Sequence, residues 1–185
     1  MEHNGETYGQ RHRAVILVGY MCAGKTTVGK ALAKRLGRTF YDLDWYIEER
    51  YHTKVPEVFA RQGEAKFRDM ERRMLHEVAE FEDIVLSCGG GTPCFFDNME
   101  YMNSVAATFY LKAGADTILR HLAMSRGERP LLRGKSPDEL REFVTAQLAE
   151  REPHYARAAE TVDVDVLDSF EKIGMVVDDI ALRLG

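Results

Sequence analysis

The sequence predicts an α/β fold in which helices pack on a mainly parallel sheet, and three observations carry that reading. Short, continuous apolar runs recur along the 185 residues, as in strands buried on both faces. Stretches with apolar residues spaced three and four apart, the pattern of amphipathic helices, alternate with those runs. Several of the runs end directly in glycine or aspartate, where a parallel strand hands over to a loop.

The elements follow in order. AVILVG (14–19) is the first strand. Val28, Leu32 and Leu36 then repeat every four residues with Lys30, Lys34 and Arg35 between them, giving a helix closed by Gly37. TFYDLD (39–44) is a second strand, and polar helical sequence runs from Trp45 to about Glu80 with breaks near Pro56 and Gly63. DIVLSC (83–88) is a third strand, ended by Gly89, Gly90 and Gly91, and TFYLKA (108–113) is a fourth. Residues 114–125 read as helix, and SRGERPLLRGKS (125–136) as a loop. Ser136 is placed to N-cap the next helix, with Pro137 at its first position. TVDVDV (161–166) is a fifth strand, and Phe170, Ile173, Val177, Ile180 and Leu184 mark a last amphipathic helix. Residues 1–13 are a polar leader, and 14–185 form one domain without repeats or linkers.

Composition removes several function classes. A formal charge of −5 argues against general nucleic-acid affinity, which needs a broad basic face. No apolar run reaches the ~20 residues that span a bilayer, and the polar N-terminus is not a secretory signal. Three cysteines, Cys22, Cys88 and Cys94, make neither a disulfide framework nor a zinc spacing. These features point to a cytoplasmic protein, and the lack of a long apolar surface pattern to a monomer.

The chemistry starts at GYMCAGKTT (19–27). Gly19, Gly24, Lys25 and Thr26 fit G-x-x-x-x-G-K-[ST], a loop whose backbone N–H groups curl around phosphate at a helix N-terminus. Gly19, Cys22, Ala23, Gly24, Lys25, Thr26 and Thr27 are therefore candidate ATP contacts. Lys25 would reach the β- and γ-phosphates, and the Thr26 hydroxyl would help hold Mg²⁺. We read Cys22 as a small side chain filling a gap. If the second strand continues through Asp42 and Asp44, both carboxylates share a face, one for hydrated Mg²⁺ and one to orient an acceptor hydroxyl and take its proton.

Arg68, in EAKFRDMERR (64–73), is a candidate carboxylate partner that Glu71 could brace, although Arg72 and Arg73 stand close by in sequence. The run Gly89–Gly90–Gly91 makes sense where backbone lies against a ligand. Arg129, in a loop, could close on the γ-phosphate. Arg151 is a further anion ligand.

These motifs in this order, GYMCAGKTT, DLD, FRDME, CGGG, RPLL and the Glu150–Arg151–Tyr155 set, resemble the shikimate kinase family from about residue 14 to 166. The resemblance implies a P-loop kinase of the nucleoside-monophosphate-kinase type, a three-layer sandwich with a five-stranded parallel sheet in the order 2-3-1-4-5. It implies ATP-dependent phosphorylation of the 3-hydroxyl of shikimate, within chorismate and aromatic amino-acid synthesis, with ATP and Mg²⁺. By motif, Asp44 would contact the shikimate hydroxyls and act as base, and Asp42 would join the magnesium shell. Arg68 and Arg151 would clamp the carboxylate. Gly89, Gly90 and Gly91 would offer backbone, Arg129 would be the lid arginine, and Arg126 would stack on adenine. The acceptor-binding helices would span about 45–80 and the lid about 124–136.

The chain departs from the family pattern at two positions. Cys22 stands where the family more often has Gly or Ser, and Cys88 where Thr is frequent; a thiol is a poorer partner for Mg²⁺ than a hydroxyl. VLDSFEK (166–172) carries no decisive mark of an adenine loop. A gluconate kinase would share the phosphate loop but would not need two arginines converging on a carboxylate. A catalytically silent nucleotide-binding protein would not need Lys25, Asp44 and Arg129 together.

Overall fold

The computed structural model describes residues 14–124 and 134–185. The expectations for the leader at 1–13 and for Arg126 and Arg129 lie outside the described residues. Five parallel strands form one sheet in the order β2-β3-β1-β4-β5. They are β1 (Ala14–Val18), β2 (Thr39–Asp42), β3 (Ile84–Ser87), β4 (Ala106–Lys112) and β5 (Glu160–Asp163). Every residue of β1 and β3 is buried. That is why these strands read as unbroken apolar runs: both faces are covered, so neither alternates with water.

The register decides where chemistry can occur. Leu17 of β1 lies opposite Ser87 of β3, and Ser87 lies opposite Asp42 of β2. The chain therefore leaves three neighbouring strands at the same height, and the loops after Val18, Asp42 and Ser87 emerge side by side. These three loops thus open on one rim of the sheet.

Helix α1 (Lys25–Leu36) starts at Gly24 and is closed by Gly37 in a left-handed cap bonded to the carbonyls of Ala33 and Lys34. α1 packs beside α7 (Phe170–Arg183). Helices α2 (Leu43–Tyr51) and α3 (Val55–Ala79) pack on each other. Pro56 falls in the first turn of α3, and Gly63 interrupts it with φ 79° and ψ 172°, so both expected breaks are present. A short 3₁₀ turn (Thr92–Cys94) and α4 (Asn98–Val105) separate β3 from β4. The sequence reading contained no α4. Eight residues give too few turns for a periodicity to show, and the helix exists because Met99 and Met102 are buried. α5 (Ala115–Met124) packs beside α6 (Pro137–Tyr155).

β4 starts two residues earlier than expected, and two strands end two or more residues short of the expected bound. β2 stops at Asp42, because the Asp42 carboxylate accepts from the backbone N–H groups of Asp44 and Trp45 and starts α2. β5 stops at Asp163, whose carboxylate accepts from the Asp165 N–H and turns the chain.

Ser136 caps α6 as its sequence context implies. Its hydroxyl accepts from the Glu139 N–H at 3.3 Å, and the Glu139 carboxylate accepts from the Ser136 N–H at 2.7 Å, forming a reciprocal capping box. Ser136→Ala is expected to lower stability by about 1 kcal/mol, read as a lower urea midpoint with an unchanged m-value; an unchanged midpoint would count against the cap.

Candidate functional site

The loop after β1 is built by backbone constraints before any ligand is considered. Gly19 has φ 144°, and a Cβ there would sit 2.7 Å from the Leu111 carbonyl oxygen of β4. Glycine at this position is thus imposed by packing against the sheet. Gly24, with φ 90° and ψ 10°, turns the chain into α1 and directs the helix N-terminus at the loop. Cys22 has φ 61°, a left-handed conformation that glycine adopts with least strain. That is a physical reason for a glycine preference at this position. Ala23 is buried and fills the space beneath the loop.

Lys25 is the cation of this loop. Its Nζ donates to the carbonyl oxygens of Gly19 and Tyr20, both at 2.8 Å. Burial lowers its pKa from 10.5 to about 8, opposed by the nearby charges of Asp44 and others. Next along the helix, the Thr26 hydroxyl donates to Asp42 Oδ2 at 3.1 Å. Asp42 therefore has two tasks: Oδ1 starts α2 and Oδ2 faces Thr26. This hydroxyl and carboxylate are hard oxygen donors that suit Mg²⁺. That ion takes one or two protein oxygens and completes its shell with water and phosphate. Among the described residues no group of three or more His, Cys, Asp or Glu side chains is placed to hold a metal.

Asp44 does not reach the site by strand alternation. It sits in the first turn of α2, brought beside Asp42 by the cap. A Cβ on Gly89 would lie 3.1 Å from Asp44 Oδ1, 3.3 Å from Glu71 Oε1 and 3.3 Å from Thr92 Oγ1. The Gly89 α-carbon thus closes over a small cluster of acceptors. Burial is the main cause that raises the Asp44 carboxyl from 3.8 to about 6, with the Glu71 and Asp42 charges adding to it and Lys25 opposing. Between those two values the folded chain binds more protons than the unfolded one, so this group's contribution to stability falls as pH rises through that window.

Arg68 is separated from its neighbours by burial. It is 8% exposed, and Glu71 is 1% exposed. Arg68 Nη1 donates to Glu71 Oε2 at 2.8 Å, while Nε and Nη2 donate to Glu64 Oε1 at 3.2 and 3.0 Å. Glu71 does brace it. The guanidinium lies 4.1 Å from the Phe95 ring centroid. On Gly91, a Cβ would come within 2.5 Å of Arg68 Nη2, so only glycine lets the guanidinium lie against the loop. Arg72 instead pairs with Asp97 and stays partly exposed.

Arg151 arrives from α6. One turn further on, the Tyr155 hydroxyl donates to the Gly90 carbonyl oxygen at 2.5 Å and ties α6 to the glycine loop. The Arg151 guanidinium lies 5.7 Å from the Tyr20 ring centroid. The Cys94 thiol is pushed up mainly by burial, with Arg151 and Arg68 opposing.

A cavity of about 640 Å³ opens at the phosphate loop, a size suited to a small-molecule site. Cys22, Gly24, Lys25, Thr26 and Thr27 line it, with Asp42, Asp44, Gly89 and Gly90. Gly19, Ala23, Arg68, Gly91 and Arg151 do not line it. The Cys88 thiol points to the Met102 sulfur at 3.8 Å. Residues 167–170, in a stretch without a decisive mark, line the opposite end with Met124 and Ile173.

His121 is a residue that sequence reasoning missed. Its Nδ1 lies 2.9 Å from the Cys22 carbonyl oxygen and its Nε2 3.0 Å from the Leu167 carbonyl oxygen. The ring joins the phosphate loop to the segment after β5, and both contacts are hydrogen bonds only when both nitrogens carry protons. A single histidine on a helix gives no sequence signal for this. Phe95 and Thr92 were missed for the same reason, since their roles come from what α3 packs against.

A parallel sheet, a phosphate loop opening a helix, and paired carboxylates beside a buried arginine define a P-loop phosphotransferase for a small anionic acceptor. The family model for shikimate kinase matches residues 21–180. A shikimate kinase from Parabacteroides distasonis is 54% identical over 153 residues, covering 83% of this chain and 88% of that protein. The crystal structure of shikimate kinase from Bacteroides thetaiotaomicron superposes with a TM-score of 0.90 at 48% identity, over 92% of this chain and 97% of that one. The shikimate kinase of Acinetobacter baumannii, solved in complex with shikimate, gives a TM-score of 0.79 at 31% identity, over 93% of each chain. The chain belongs to the shikimate kinase family.

The Asp44 carboxyl is expected to titrate near pH 6 by carbon-detected NMR, and Glu71→Gln to move that midpoint down by removing a neighbouring negative charge. A midpoint near 4 in the wild type would contradict the burial account.

Proposed function

We propose that this chain transfers the γ-phosphoryl group of ATP to the 3-hydroxyl of shikimate, giving shikimate 3-phosphate and ADP in aromatic amino-acid synthesis. The observation that carries the reading is the buried Arg68–Glu71 pair held against Gly91, beside Asp44 and within reach of the phosphate-loop cavity. It provides a fixed guanidinium for a carboxylate on a molecule whose hydroxyl meets Asp44. A polyol acid without that geometry would leave buried charge poorly matched.

ATP lies along the cavity, with its phosphates on the Gly24–Thr27 N–H groups and Lys25. The apolar end lined by Met124, Leu167, Phe170 and Ile173 receives the base. Thr26 and Asp42 hold Mg²⁺, which when bound neutralises phosphate charge. Asp44 orients the acceptor hydroxyl and accepts its proton, and above about pH 6 it is ionised for that role. Arg68 and Arg151 hold the acceptor carboxylate, with Glu64 the exposed partner that yields to it. The Gly89–Gly91 backbone forms the wall between the two substrates. α2 and α3 supply the acceptor side. The chain acts as a monomer.

ADP release with Mg²⁺ATP is expected to depend strongly on shikimate and not on quinate or gluconate; equal stimulation by gluconate would overturn the acceptor assignment. Asp44→Asn is expected to keep ATP affinity within about twofold while lowering kcat by at least ~10²-fold, because general-base assistance and hydroxyl alignment are lost together. Turnover near that of the wild type would remove Asp44 from the mechanism.

A further inference from the structure

We infer that Thr92 is a positioning residue for acceptor binding, acting through Glu71 on Arg68. The inference rests on the acceptor reading above. Thr92 is fully buried at the start of the 3₁₀ turn that follows the glycine run. Its hydroxyl donates to Glu71 Oε1 at 2.6 Å, and the other Glu71 oxygen accepts from Arg68 Nη1 at 2.8 Å. The buried carboxylate therefore has one oxygen on each partner. A hydrogen bond to an ionised, desolvated carboxylate is short and strong, as this one is.

Thr92 is itself held by backbone. Its N–H donates to the Gly89 carbonyl oxygen at 3.1 Å, and its carbonyl oxygen accepts from Asn98 Nδ2 at 2.9 Å. The hydroxyl is thus anchored to the loop that carries Gly89, Gly90 and Gly91. One chain of contacts, from Asn98 through Thr92 and Glu71 to Arg68, fixes the guanidinium relative to the glycine wall.

The position of Arg68 has little tolerance. The Gly91 α-carbon lies against its nitrogens and Phe95 stacks near it. Without the Thr92 hydroxyl, Glu71 keeps one oxygen buried and unpaired, which costs enough to reorient the carboxylate. Glu71 would then turn, and Arg68 would follow it off the line to the acceptor.

The test compares Thr92→Val, which keeps the shape and removes the hydroxyl, with Thr92→Ser, which keeps the hydroxyl. Shikimate affinity is measured by calorimetry, and KM and kcat by ADP release. Thr92→Val is expected to raise the shikimate Kd and KM by about tenfold, the loss of one charge-assisted hydrogen bond. The ATP KM and kcat should stay within about twofold, because a carboxylate clamp holds ground and transition states alike. Thr92→Ser should restore wild-type affinity. In an Arg68→Ala background, Thr92→Val should add no further loss, since the two act in series. An unchanged shikimate Kd in folded Thr92→Val, or an equal loss in the Arg68→Ala background, would overturn the inference. If Thr92→Val does not fold, Thr92→Ala takes its place with the same expected values. Failure of the wild type itself to bind or turn over shikimate would instead overturn the proposed function, so the two failures are distinct.

Discussion

The register of the parallel sheet is the constraint on which the site depends. Leu17, Ser87 and Asp42 lie level across three neighbouring strands, so three loops far apart in sequence open at one edge. Each then contributes what its own chemistry allows: a phosphate loop after β1, a capping carboxylate after β2 and a glycine wall after β3. A slip of β2 against β3 by one residue would reverse the faces of that strand's side chains and separate Asp42 from Thr26. β1 and β3 are buried along their whole length, and β2 pairs with β3 at the edge of the sheet.

Charge is concentrated where the sheet brings it. The protein is acidic overall, yet Lys25 on α1 and Arg68 on α3 both act on the buried Asp44 carboxyl. Each buried charge is matched locally. Lys25 is held by two carbonyls, and the Arg68 guanidinium by two carboxylates. Such matching limits the cost of desolvation. Asp44 is the odd member: burial first, and then the charges of Glu71 and Asp42, make it hold its proton more tightly than an exposed aspartate.

Much of this was legible in the residues. AVILV, IVLS and the four-residue spacing of Val28, Leu32 and Leu36 in α1 are local signals, and local signals survive without knowledge of the rest of the chain. Ser136 with Pro137 and Glu139 marked a helix start for the same reason. Asp42 and Asp44 were placed at the rim correctly but by the wrong route. Alternation along a strand was the expected reason, whereas Asp42 ends the strand and its cap carries Asp44 into α2. α4 was too short to announce itself.

The sequence by itself determined the order of elements, the phosphate loop and the residue types able to bind anions. These depend on periodicity and on spacing within a few residues, both of which are written along the chain. Only the tertiary structure decided which arginine of the α3 cluster is buried against the glycine loop. Burial selects Arg68 over Arg72, through Gly91 from one loop and Phe95 from the next. It also decided that Thr92 completes the Glu71 pair and that His121 joins two distant loops. Those roles arise from contacts between elements separated by tens of residues. A side chain's partner across such a gap is set by packing, which no local pattern encodes.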